Sequence, residues 1–186
     1  MNDNRMDETR AFVPVRIAVL TMSDSRRLDN DVSGDTLAAR IKAAGHELAD
    51  RTIVQDDEGM IAAQVRRWLA ERTVDAIITT GGTGLTGRDV TVEAIRPLFE
   101  KEIDGFAALF HQISYAKIGT STIQSRACAG VANGTFIFCL PGSPGAVKDA
   151  WDGILKFQLD VRHRPCNFVE IMPRLQEHLA AEERKR

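Results

Sequence analysis

Cysteine is scarce in this chain: three in 186 residues, at positions 128, 139 and 166, with no CxxC pair. That usage argues against a structural zinc site or a disulfide framework and fits a reducing cytoplasm. Basic charge is not concentrated either. The formal net charge is −2, and no basic block precedes Arg184-Lys185-Arg186, so nothing marks a nucleic-acid binder. No apolar run approaches the length of a membrane helix. Met1 to Arg10 is polar and acidic, without the apolar core of a signal peptide. The four histidines (His46, His111, His163, His178) show no metal-ligand spacing and read as structural or surface residues. Repeats, low-complexity tracts and linkers are also missing, which leaves one domain, residues 15–186, behind a flexible arm, residues 1–14. What remains is an ordinary globular composition, 44% hydrophobic and 27% charged.

One stretch stands out. The apolar run Val74 to Ile78 leads through Thr79 and Thr80 into Gly81-Gly82-Thr83-Gly84-Leu85-Thr86-Gly87, then Arg88-Asp89 and a helical pattern. A strand feeding a glycine-rich turn and a helix is a common phosphate cradle, because glycine lets backbone N–H groups approach an anion. Gly82-x-Gly84-x-x-Gly87 matches a dinucleotide-binding pattern, but the ribose-binding acid about 20 residues on is not convincing. Glu102 and Asp104 fall in a helix-rich stretch. A P-loop would need Lys and then Ser or Thr where this chain has Arg88 and Asp89. A carboxylate at that place implies different phosphate chemistry.

Around this loop the pattern alternates. Val15 to Thr21 is a buried strand. Ser33 is positioned to cap a helix from Gly34 to Ala44, stopped by Gly45. Glu47 to Val54 is a second strand, and Asp57 caps a helix carrying Ile61, Val65, Trp68 and Leu69 on its buried stripe. Val74 to Thr79 is the third strand. Alternation of this kind implies right-handed crossovers and a mostly parallel α/β sheet, with ligands beyond the carboxyl ends of the strands. Those ends carry Ser23-Asp24, Asp56-Asp57 and the glycine loop with Asp89. A helix interrupted by Pro97 follows, then another near Asp104 with Phe106, Leu109, Phe110 and Ile113 as its apolar face. Cys128 to Ala132, Asn133-Gly134 and Thr135 to Leu140 form a hairpin with a type I′ turn, so one strand runs antiparallel. Cys128 and Cys139 then face each other as buried thiols. Pro141-Gly142-Ser143-Pro144-Gly145 is a second loop at a strand end, followed by a helix to Phe157, and a short helix from Pro173 to Glu182 closes the chain.

The combination resembles the MoaB/MogA family of molybdenum-cofactor biosynthesis proteins, and the MoaB branch in particular. The match rests on Ser23-Asp24-Ser25-Arg26 with Asp31-x-Ser33-Gly34, Val54-Gln55-Asp56-Asp57, Thr80-Gly81-Gly82-Thr83-Gly84 with Arg88-Asp89-Val90-Thr91, Gln124-Ser125-Arg126 and Leu140-Pro141-Gly142-Ser143-Pro144. The resemblance implies a three-layer α/β/α fold with a mixed sheet and a homo-oligomer, trimer or hexamer. It also implies adenylylation of molybdopterin by ATP, with pyrophosphate leaving. It places Ser125 near the pterin and Pro141, Gly142 and Ser143 near the nucleotide.

Adenylyl transfer brings two polyanions together, so charge neutralisation and alignment dominate. Mg²⁺ held by one or two carboxylates suits this. Asp56 and Asp89, expected at the ends of neighbouring strands, are the candidate catalytic and metal-binding residues. Ser23, Asp24, Gly81, Gly82, Thr83, Gly84 and Arg88 are candidate binding residues, with backbone donors from Gly81 to Gly84 and phosphate charge met by Arg88 or Lys148. Each choice has a plainer alternative. Asp89 could cap the helix after it, Asp56 could be a turn acid, and Asp24 and Asp31 could be solvated loop acids. Ser125 could merely enter a strand. A second reading of the whole chain is a non-catalytic MoaB paralogue that binds pterin or nucleotide, or partners other pathway proteins. A third, an NAD(P)-dependent oxidoreductase, rests only on the glycine spacing.

Overall fold

A computed structural model describes residues 5–178. Six strands form one mixed sheet in the order β2-β1-β3-β6-β5-β4. They are β1 (Arg16–Met22), β2 (Glu47–Val54), β3 (Ala76–Thr80), β4 (Lys101–Glu102), β5 (Cys128–Ala132) and β6 (Thr135–Leu140). The helices are α1 (Val32–Ala43), α2 (Glu58–Glu71), α3 (Thr91–Ile95), α4 (Asp104–Ile118), α5 (Pro144–Ala150), α6 (Lys156–Gln158) and α7 (Phe168–Ile171). A π-helical turn, Trp151–Leu155, joins α5 to α6. β5 alone runs against its neighbours, pairing antiparallel with both β4 and β6.

Alternation along the central strands sorts side chains to the two faces of the sheet. Ile17, Val19, Ile78, Phe136 and Phe138 pack on one face with Leu37 and Ile41 of α1, Phe106 and Phe110 of α4, and Val147 of α5. Ala18, Leu20, Ile77, Ile137 and Cys139 pack on the other with Ile61, Val65 and Trp68 of α2 and Val92 and Ile95 of α3. The result is the α/β/α sandwich expected from the sequence. Burial of each large apolar side chain contributes about 1.5–3 kcal/mol, so the two covered faces explain why the central strands are near-continuous apolar runs.

The hairpin forms as its turn residues require. Asn133 and Gly134 take φ of 46° and 79°, the left-handed pair of a type I′ turn, and Cys128 pairs with Cys139 as two buried thiols.

Several local expectations are corrected. The cap of α1 is Asp31, whose carboxylate accepts from the Gly34 amide, and not Ser33. Glu102 lies in β4, a two-residue strand held by β5, rather than in a helix. Leu109 is 42% exposed, so α4 buries only Phe106, Phe110 and Ser114 fully. β2 and β3 are not neighbours, because β1 lies between them. The chain winds from β1 outward to β2 and then crosses back to β3, making a topological switch point beside β1. The closing helix begins as a 3₁₀ turn over Met172–Arg174, and its end lies outside the described residues.

Residues 5–14, expected as a flexible arm, lie along the segment after α6. Met6 bridges to His163, the Asp7 amide donates to Arg162 O, and Phe12 rests against His46. Among the described residues no helix is long and apolar enough to cross a membrane.

Candidate active site

A cleft of about 540 Å³ opens at the carboxyl ends of β1, β3 and β6. Its floor is two glycine loops laced to one another. The Gly81 amide donates to Leu140 O, the Thr80 hydroxyl to Pro141 O, and the Thr91 hydroxyl and amide to Gly81 O and Gly82 O. Gly81 and Gly82 take φ of 105° and 61°, which side-chain-bearing residues adopt only at a cost. A Cβ on Gly81 would stand 2.5 Å from Met22 O, and one on Gly142 would stand 3.0 Å from the Gly81 Cα. The two loops touch because both carry glycine.

The candidate catalytic and binding residues line this cleft except Asp24, which is exposed at its rim, and Lys148, which lies apart from it. Asp24 and Asp56 clasp one another: the Asp24 amide donates to Asp56 Oδ2 and the Asp56 amide to Asp24 Oδ1, both at 3.2 Å. Arg88 donates three bonds of 2.6–3.0 Å to the Asp24 carboxylate. That contact holds Asp24 below the usual carboxylate range. Asp56 moves the other way. Burial pushes it up, the neighbouring Asp24 charge adds to this, and Arg88 only partly offsets them.

Asp89 does not cap α3, whose first turn has no side-chain cap. Its Oδ2 instead accepts from the Thr86 amide and hydroxyl at 2.9 and 2.6 Å. Burial pushes Asp89 up, but these bonds and the nearby Arg126 charge outweigh it and hold the group low. Its carboxylate lies over Gly84, where a Cβ would come within 2.7 Å of Oδ2. Asp56 Oδ1 accepts no hydrogen bond among the described residues, while the Asp89 carboxylate takes a further backbone bond from Gly84. Asp56 therefore keeps one open oxygen on the same cleft as the Asp89 carboxylate, a donor set that fits one Mg²⁺ shared with substrate phosphates. Among the described residues no group of three or more His, Cys, Asp or Glu could hold a metal alone.

The backbone donors differ from expectation at two places. The Gly81 amide is committed to Leu140 O and the Gly84 amide to the Asp89 carboxylate, whereas the Gly82 and Thr83 amides have no acceptor among the described residues. Ser125 sits where the cleft joins a second hollow of about 470 Å³, whose wall includes Phe110, Ile118 and Ala146. Lys148 lines that hollow and not the main cleft. Ser143 faces the cleft and caps α5 by accepting from the Ala146 amide.

Three residues escaped the sequence reading. Arg126 donates from Nε to Thr83 O and Gly84 O and from Nη2 to Asp89 O, and pairs with Glu93. It pins the glycine loop from outside. Asp31, read as a solvated loop acid, is wholly buried and accepts from Thr21, Gly34 and Arg51. Arg26 lines the cleft itself. The only signal for all three was membership in the motifs Gln124-Ser125-Arg126, Asp31-x-Ser33-Gly34 and Ser23-Asp24-Ser25-Arg26, because their partners lie far away in sequence.

Comparison with known proteins places this geometry. Residues 18–161 match the family model described as "Probable molybdopterin binding domain". The chain is 49% identical over 157 residues to molybdenum cofactor biosynthesis protein B of Escherichia coli K12, covering 84% of this chain and 92% of that one. It is 47% identical over 149 residues to the protein of that name in Staphylococcus aureus COL, covering 78% and 88%. A crystal structure of molybdenum cofactor biosynthesis protein B superposes with a TM-score of 0.78 at 41% identity, covering 81% of this chain and 94% of that chain. That of the tungsten cofactor synthesizing protein MoaB from Pyrococcus furiosus does so with a TM-score of 0.67 at 35% identity, covering 76% and 91%.

Proposed function

From the premise that this chain belongs to the molybdopterin-binding-domain family of molybdenum-cofactor biosynthesis proteins, we propose that it is a molybdopterin adenylyltransferase. The terminal phosphate of molybdopterin attacks the α-phosphorus of ATP, and pyrophosphate leaves. The observation that carries this reading is the pair Asp56 and Asp89 on one cleft, beside a loop whose Gly82 and Thr83 amides have no acceptor among the described residues.

The attacking phosphate is already anionic, so the residues need not remove a strongly held proton; their task is alignment and charge compensation. The Gly82 and Thr83 amides supply donors to phosphate oxygens. Arg88, drawn back by Asp24, borders the same space. Ser125 lies at the junction with the more apolar hollow, which suits a pterin ring. Asp56 and Asp89 would hold Mg²⁺, which when bound supplies positive charge against the two phosphate groups. The raised Asp56 supports this role: burial first, and then the Asp24 charge, disfavour its ionised form, which a cation would relieve. Leu109, Tyr115, Ile118 and Ile123, all exposed on α4 and the turn after it, support self-association as a trimer or hexamer.

The test is transfer of AMP from ATP to molybdopterin with Mg²⁺, comparing wild type with Asp56→Asn. Turnover in the variant is expected to fall roughly 10²–10³-fold. Its melting temperature at pH 7 is expected to stay level or rise. With its folded pKa raised, Asp56 makes folding less favourable as pH climbs through that value, and Asn removes the effect. Ligand binding by wild type without turnover would instead establish the non-catalytic paralogue.

A further inference from the structure

Two arginines border the cleft, and they are engaged differently. Arg88 spends its fork on Asp24 through three short bonds. Arg26 meets one neutral acceptor, Gly142 O, with both Nη atoms at 3.3 Å. Its nearest carboxylate oxygen, Asp31 Oδ1, is 3.8 Å from Nη1. That carboxylate is fully buried and already serves the Thr21 hydroxyl at 2.7 Å, the Gly34 amide at 3.0 Å and Arg51 at 3.1 Å. The Asp31 charge therefore faces Arg26 without occupying its donors. A guanidinium has five N–H donors in a planar fork. Most of those on Arg26 have no acceptor among the described residues, and its side chain is 34% exposed beside Ser23, Ser25 and Ser143 on the cleft wall.

We propose that Arg26 binds a phosphate group of the substrates in this cleft, held in place by Gly142 O on one side and the buried Asp31 on the other. The inference rests on the adenylylation reading and deepens it. A planar fork with open donors matches phosphate oxygens in a way that a paired Arg88 does not. The phosphate belongs either to ATP or to molybdopterin, and titrating each ligand separately tells which.

The experiment is calorimetric titration of the intact protein with ATP and with molybdopterin, plus NMR titration with adenosine, for wild type, Arg26→Met and Arg26→Lys. Arg26→Met is expected to weaken one phosphate ligand about 10- to 100-fold, with adenosine unchanged within about twofold. Arg26→Lys should recover part of the loss, since it restores the charge but not the fork. The KM for the affected substrate should rise more than kcat falls. Loss for ATP alone assigns the nucleotide phosphate, and loss for molybdopterin alone assigns the pterin phosphate; either supports the proposal. Unchanged binding of both in Arg26→Met overturns it while the adenylylation reading stands. An equal loss of adenosine also overturns it, because Arg26 would then only brace the Pro141–Ser143 loop. Wild type that binds neither ligand overturns the adenylylation reading, and this inference with it.

Discussion

The two ends of the sheet share the same strands and treat charge in opposite ways. At the amino ends, Arg16 of β1 grips Asp75, just before β3, through its amide, Nε and Nη2 at 2.7–3.1 Å. Burial pushes Asp75 up, but these bonds and the Arg16 charge pull further and leave it below the usual carboxylate range. At the carboxyl ends, Asp24 and Asp56 share Arg88, whose hydrogen bonds all go to Asp24. Asp56 is left raised. One end uses charge to hold the fold together. The other keeps charge unbalanced, and the fold sustains this because the loops beneath are fixed by backbone bonds and by Arg126. Unbalanced carboxylates are a liability without a ligand and an asset with one.

The largest effect that should separate the two ends is steric. Gly82→Ala places a methyl against the Thr91 hydroxyl and 3.0 Å from Asp56 Oδ1, at a φ of 61°. It is expected to lower the unfolding free energy by about 2–4 kcal/mol and to abolish AMP transfer. Gly134→Ala, at the hairpin turn, also meets a positive φ, but its new methyl faces only the flexible Gln176 side chain at 3.1 Å. About 1 kcal/mol is expected there, with activity kept. Urea denaturation of both variants decides it. Equal costs would mean that the close packing of the two glycine loops has no special weight.

A smaller effect belongs to the balanced end. Asp75→Asn should lower stability by about 1 kcal/mol, since the pair is partly solvated, and leave AMP transfer unchanged. The Asp75 pKa is depressed in the folded state, so its contribution is present above the unfolded carboxylate range and fades as pH falls through the folded value. Wild type and variant should therefore converge in acid. A gap that persists at pH 2 would show that the loss is one of packing, not of charge.

How much of this was legible beforehand follows from the range of the interactions. Asp57 as a cap, Gly45 as a stop and Asn133-Gly134 as a turn act within a few residues, and all three are in the structure as the sequence predicts. The cleft was legible too, because strand ends in an alternating α/β chain must share an edge. Strand order was not: nothing local says that β1 lies between β2 and β3. Nor could a local reading find Asp31 under Arg51, Arg126 over Thr83, or Arg26 against Gly142, whose partners come from other strands and loops. β4 was missed for the same reason, since two residues become a strand only when β5 supplies the ladder.

The finest comparison sits at the cleft, between two acids that each donate a backbone amide to the other's carboxylate. Asp56 is pushed up first by burial and then by the Asp24 charge, while Arg88, the cation that could relieve it, is held by Asp24. Asp24→Asn removes the repelling charge and releases Arg88 at once, and both changes favour the ionised form of Asp56. The Asp24 amide that donates to Asp56 is backbone and survives the substitution. If ionised Asp56 is what the reaction needs, the acid limb of the kcat/KM profile reports its pKa in the free enzyme. That limb should move to lower pH in the variant, in step with the carboxyl carbon of Asp56 followed by NMR. Movement of the NMR titration without the rate profile would remove Asp56 from the chemistry. A shift of both to higher pH would mean that Arg88 needs Asp24 to stay near the cleft, and that the pair works as a unit which positions positive charge.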